Sequence, residues 1–147
     1  PAGKPAFYDA KFPGTYNARR DNLEGGFWKS LFGHSHGIMV VNAFFENVGR
    51  DGKNVVLEFR PKPTQDILVA CLWSRWSAPG EPDLLSFAAI TDEPPPEVAA
   101  AGHDRCIVPI KEENIDAWLQ PDPRYLAAQY AILDDRQRPY YEHRLAA

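Results

Sequence analysis

A histidine, a carboxylate and a guanidinium stand in a row at His103-Asp104-Arg105. The turn-prone Pro94-Pro95-Pro96 precedes them, and the apolar run Cys106-Ile107-Val108-Pro109-Ile110 follows directly. That order sets a proton carrier and an anion binder at the mouth of a strand, where a rigid scaffold can aim them. Glu46 closes another apolar run, Val40 to Phe45. A partly desolvated carboxylate there would hold its proton more tightly and suit acid–base work. Asn17-Ala18-Arg19, after Pro13-Gly14, adds an amide and a second guanidinium. Each site also has a plain reading: an exposed acid at a strand end, a solvated loop histidine, a turn asparagine. The spacing between the three fixes no motif by itself.

His34-Ser35-His36 is the other constellation with chemical potential. Two histidines at alternate strand positions face one side. A metal site needs three or four convergent ligands, and a metal-dependent hydrolase would have to add His103. Gly33 and Gly37 flank the pair and favour a turn instead. Cys71 and Cys106 lie inside apolar runs with no second cysteine at ligand spacing. They read as small, buried, reduced side chains, which fits a cytoplasmic protein.

The elements that must position these groups are mostly strands. Gly37–Phe45 reads as one strand, Gly49-Arg50-Asp51-Gly52 as a turn, and Asn54–Arg60 as the return arm, with Val55, Leu57 and Phe59 alternating. Ile67–Trp76 reads as a central strand, Leu84–Thr91 as another and Cys106–Ile110 as a short one. Helical spacing predicts short helices over Leu23–Phe32, Pro95–Ala101, Lys111–Leu119 and Tyr125–Leu133. The Gly25-Gly26 pair weakens the first of these. In Lys111–Leu119, Ile115, Trp118 and Leu119 would share one face. Residues 1–16 read as loop, and the polar tail from Asp134 as irregular. The sum is an α+β domain on a curved, mainly antiparallel sheet or open barrel, a single domain over 1–147.

The chain has 147 residues and a net charge of −4, from 20 acidic and 16 basic residues. Bulk charge therefore weighs weakly against nucleic acid, although a local basic cleft on an acidic protein still binds phosphate. No stretch is long and apolar enough for a membrane helix, so no membrane partner is expected. The opening Pro1-Ala2-Gly3-Lys4-Pro5 carries no methionine, and a piece of a longer protein is expected.

The ordered motifs carry further than the residues taken singly. Tyr16-Asn17-Ala18-Arg19 resembles the asparagine-alanine-arginine motif of the SRAP family, the SOS-response-associated peptidases. Phe45-Glu46 resembles that family's phenylalanine-glutamate strand end. Asp66 through Ala70 resembles its apolar strand, and Phe87 through Thr91 a strand ending in threonine. His103-Asp104-Arg105 resembles its histidine-aspartate-arginine motif, with the helix near Glu113–Leu119 after it. Five short motifs in one order, over roughly residues 15 to 120, are fairly specific together.

The resemblance implies a mechanism. SRAP proteins bind single-stranded DNA and capture abasic sites. A cysteine exposed by self-cleavage of the initiator methionine closes a thiazolidine ring with the open-chain sugar aldehyde. By resemblance, Asn17 orients the reacting terminus, Glu46 accepts a proton near the amine, and His103 donates or shuttles a proton to the sugar oxygen. Arg19 and Arg105 would hold phosphates, Thr91 would add a hydroxyl contact, and Phe7 and Tyr8 would stack on bases. No cofactor or metal is implied. The sequence departs from the family in four ways. Pro1 stands first, the family's N-terminal segment is missing, Asn47 replaces a tryptophan, and Cys106-Ile107 replaces methionine-proline. Omission of a front portion carrying the cysteine accounts for the first two. A non-covalent single-strand binding module is the alternative.

Overall fold

The computed structural model describes residues 16–146. Among these, the strands form two sheets. The first holds β1 (Asn17–Arg19), β2 (His36–Val41), β5 (Ile67–Trp76), β6 (Leu84–Asp92) and β7 (Cys106–Ile107), in the order β1-β6-β5-β2 with β7 also on β6. The second holds β3 (Phe44–Arg50), β4 (Lys53–Lys62) and β8 (Tyr140–Leu145), in the order β3-β4-β8. β1 runs parallel to β6, and the other paired strands are antiparallel. Three short helices, α1 (Pro96–Ala100), α2 (Ile115–Leu119) and α3 (Leu126–Asp134), complete an α+β fold with curved, mostly antiparallel sheets.

Strand alternation explains how the first sheet serves two cores. Residues paired across strands share a face, and neighbours along a strand face opposite ways. Ala18, Ala88, Ile90, Ala70 and Leu72 point to one side, where Leu23, Phe32, Trp118 and Leu133 cover them. Ala89, Val69, Ile67 and Ile107 point to the other, where Phe44, Val48, Leu57, Phe59 and Tyr141 of the second sheet cover them. β5 is buried on both faces along much of its length, which is why its sequence reads as an almost unbroken apolar run. The β3–β4 hairpin closes at Asp51-Gly52, both at positive φ, 50° and 74°. An Asp-Gly pair is well suited to that primed two-residue turn.

Five sequence expectations are corrected. Gly37–Phe45 is two strands, because the chain bends at Asn42-Ala43 and sends β2 and β3 to different sheets. An apolar run carries no sign of such a bend when both halves are buried. Leu23–Phe32 is a chain of turns instead of a helix. Trp28 and Lys29 donate to the Gly25 carbonyl, at 3.1 and 3.0 Å, and Phe32 donates to that of Trp28 at 2.9 Å, without continuing into a regular ladder. Cys106–Ile110 keeps only two ladder residues, with a lone bridge from Pro109 to Val69. The tail is not irregular: β8 pairs with β4 from Tyr140 to Leu145. Only Tyr141 of that strand is buried, so its polar composition hides it. Leu119 is exposed instead of sharing the buried face with Trp118. Phe7 and Tyr8 lie outside the described residues.

His36 is a packing residue, not half of a metal pair. Its ring stacks on Trp118 at 3.9 Å between centroids and on Phe32 at 5.4 Å. The Gly33 N–H donates to its Nε2 at 2.8 Å, and Nδ1 donates to the Trp118 carbonyl at 3.0 Å. His34 is exposed, and no group of three or more potential ligands converges among the described residues. Burial pushes the His36 imidazole down to about 4 from 6.5. The unfolded chain therefore takes up this proton first. The stability it contributes is whole above pH 6.5 and is lost as pH falls from there to about 4. The expected loss is about 3 kcal/mol. Urea unfolding between pH 7 and 4.5 checks it, and His36→Gln should remove that part of the pH dependence.

Both thiols, Cys71 and Cys106, are free and buried. Burial raises them to about 11 and about 12, and the Glu46 carboxylate adds to the second.

Candidate active site

The local sequence fixes His103 through the end of α1. Gly102 adopts φ +101°, a left-handed conformation open to glycine. Its N–H donates to the Ala99 carbonyl at 3.0 Å, and the His103 N–H donates to that of Val98 at 3.3 Å. This pair of bonds is the Schellman cap, with Gly102 at its left-handed position and His103 just beyond. The backbone of His103 is thus tied to the helix before its ring makes any contact.

Glu46 comes from the second sheet. It is the third residue of β3, opposite Leu57, and begins a strand instead of ending one. Its Oε2 lies 3.1 Å from His103 Nε2, and the two side chains are 19% and 18% exposed. On the other side of the ring, Nδ1 lies 2.8 Å from the Arg105 carbonyl, with the Arg105 N–H further off at 3.3 Å.

Proton counting follows from these distances. A hydrogen lies between Nε2 and Glu46, and Nδ1 faces both the Arg105 carbonyl and the Arg105 N–H, so it finds a partner in either tautomer. The pair is joined by one transferable proton. Burial raises the Glu46 carboxyl above its ordinary value, the His103 charge opposes this, and Asp104 adds to the rise. A carboxyl shifted toward neutrality beside a histidine is a common arrangement for general acid–base work.

Two arginines border the pair. Arg105 is 18% exposed on its side chain, and its Nη2 reaches the Thr91 carbonyl at 3.4 Å and Asp21 at 4.0 Å. Its Nε is buried with no hydrogen-bond partner among the described residues. Arg19, exposed on β1, forks onto Asp21 through Nε at 3.1 Å and Nη2 at 2.8 Å. Asp21 holds Arg19 up and is itself held below the usual carboxylate range, mainly by Arg19 and also by Arg105. Asp21 thus stands between the two guanidiniums. Sequence reasoning passed over Asp21, although an acid two residues after the Asn-Ala-Arg segment was visible.

The structure brings Glu46, His103 and Arg105 together directly, and joins Arg19 to them through Asp21. Thr91 is buried on β6 opposite Arg19 and Ile107, and meets the site through its carbonyl. Asn17, half-buried, pairs with Ala89 and shares its sheet face with Arg19.

A family model described as SOS response associated peptidase (SRAP) matches residues 4–145. Three solved structures share the fold. A protein from Bordetella bronchiseptica aligns with a TM-score of 0.76 at 19% identity, over 100% of this chain and 72% of that one. A protein from Bacteroides thetaiotaomicron aligns at 0.69 and 16%, over 89% of this chain and 58% of that one. A phage-related protein from B. bronchiseptica aligns at 0.65 and 19%, over 90% and 63%. The chain thus spans less than two thirds of the latter two. No curated protein matches it.

Proposed function

Since the chain belongs to the SOS response associated peptidase family, we propose that it binds single-stranded DNA and captures abasic sites as a thiazolidine crosslink. The thiol and amine are those of an N-terminal cysteine. The amine adds to the sugar aldehyde, the carbinolamine loses water to give an imine, and the thiol adds to the imine carbon. One C–N and one C–S bond form, one water leaves, and nothing is oxidised or reduced.

The observation that carries this reading is the Glu46–His103 contact with its single transferable proton. Glu46 takes the proton from the attacking amine, and His103 delivers it to the sugar oxygen that leaves as water. Asn17 orients the terminus, and Arg19 and Arg105 hold the flanking phosphates, displacing Asp21. Thr91 acts by holding Arg105. The same groups would assist self-cleavage of the initiator methionine. Intact-mass measurement of the full-length protein after incubation with an abasic oligonucleotide tests the chemistry. The adduct should weigh the sum of the two minus one water, and absence of an adduct contradicts it.

Binding without capture is a second reading, favoured by the two cysteines being buried with raised thiols. Both readings predict a salt-sensitive complex. Removing one phosphate contact in Arg105→Ala should flatten the slope of log affinity against log salt by about 0.7. A salt titration by fluorescence anisotropy reads this directly.

A further inference from the structure

Among the described residues, the face of the first sheet that carries Asn17 and Arg19 is covered along only part of its length. At Ile67, Val69 and Ile107 the second sheet lies on it. The row Asn17–Ala89–Cys71–Gly37 marks the edge of that cover. One row further, Phe87 and Trp73 stand directly opposite each other on β6 and β5, followed by Leu85 opposite Arg75. By alternation all of these point to the same side as Asn17. Phe87 is 64% exposed, Leu85 66% and Trp73 41%. The Trp73 ring is held in place, its Nε1 donating to the His36 carbonyl at 3.1 Å. Gly37 lies against it, since a Cβ there would sit 3.5 Å from the indole and 3.0 Å from Cys71 Sγ.

We infer that Phe87 and Trp73 form a stacking platform for bases of a single strand running toward the Glu46–His103 pair. The inference rests on the function proposed above and adds where the bases lie. Three features favour a nucleic-acid strand as occupant. Ring faces opposite one another across two strands suit successive bases, whatever their identity. The platform begins about 7 Å along the sheet from the Asn17 row, two residues at strand rise. On that row's far side stands Arg19, paired with Asp21, which the backbone would displace to reach the cation, while Arg75 at the platform's outer end pairs with Asp83.

The test compares two ligands of equal length on the full-length protein: oligothymidine, and an oligomer with the same phosphates but tetrahydrofuran in place of every nucleoside. Phe87→Leu keeps apolar bulk on an exposed position and removes the ring, and Phe87→Ala removes both. Each should weaken oligothymidine binding about tenfold and leave the base-free oligomer unaffected, with an unchanged circular dichroism spectrum. Equal losses on both ligands, or no loss on either, overturn the platform while leaving single-strand binding intact. A change in sedimentation with unaltered oligothymidine affinity also overturns it, and assigns the face to self-association. If the wild-type protein binds neither ligand at low salt, the proposed function itself fails.

Discussion

Replacing His103 by alanine should slow covalent capture of abasic single-stranded DNA by about 10²-fold or more, the range for loss of a general acid–base group. DNA affinity should change little, because the phosphate contacts are assigned to Arg19 and Arg105. Among the described residues the ring has no structural partner beyond Glu46 and its own loop, and it is tied at the backbone through Gly102. Glu46→Gln should reduce capture in the same way and raise stability. The Glu46 carboxyl is raised, chiefly by burial. Its ionisation therefore opposes folding, and the opposition grows as pH rises through the folded-state value. Glutamine removes that cost near neutrality and changes nothing at pH 3, where both states of the wild type are protonated. Thermal melts at pH 8 and pH 3 check the sign. A single-turnover pH profile checks the role: its acid limb should lie above the ordinary carboxylate range and vanish in Glu46→Gln. A residue that is stabilised by loss of function and slowed by it belongs to a working site.

Trp118→Ala should produce the largest loss of stability, about 4 kcal/mol. The indole is fully buried between β2 and the turns before it. It fills space in the first core, its Nε1 donates to the Gly37 carbonyl at 2.9 Å, and its ring stacks on His36. Deleting it opens a cavity, removes the side-chain hydrogen bond to the Gly37 carbonyl and takes away one wall of the His36 pocket at once. Trp118→Phe keeps the stack and most of the volume, and should lose less than half as much. Urea unfolding monitored by circular dichroism at pH 7 gives both values. The loss should reach the platform as well, since Gly37 and His36 support Trp73.

These two sites differ in how far the sequence revealed them. β5 and β6 are readable almost to the residue, because β5 is buried on both faces and β6 is apolar along most of its length. β8 is not. It is an edge strand with one buried side chain, held by its ladder to β4. The bend at Asn42-Ala43 was hidden for the opposite reason: both arms are apolar, so the division between two sheets leaves no periodic trace. The pairing of Glu46 with His103 is legible only through an ordered family pattern, because 57 positions separate them and one stands on β3, the other in the loop before β7. Physical reading of the residues named both groups and could not join them. Asp21 and the Phe87–Trp73 face escaped it altogether, because exposure of an aromatic strand pair cannot be seen without the cover that stops short of it.

The most direct test of the central claim is a denaturing gel of the full-length protein incubated with two single-stranded oligonucleotides, one with a single abasic site and one intact. A slow-migrating band should form with the abasic strand alone, survive heat and detergent, and build up about 10²-fold more slowly in His103→Ala. No band with either strand, or a band that forms at the wild-type rate without His103, would contradict the assignment of the Glu46–His103 pair to abasic-site capture.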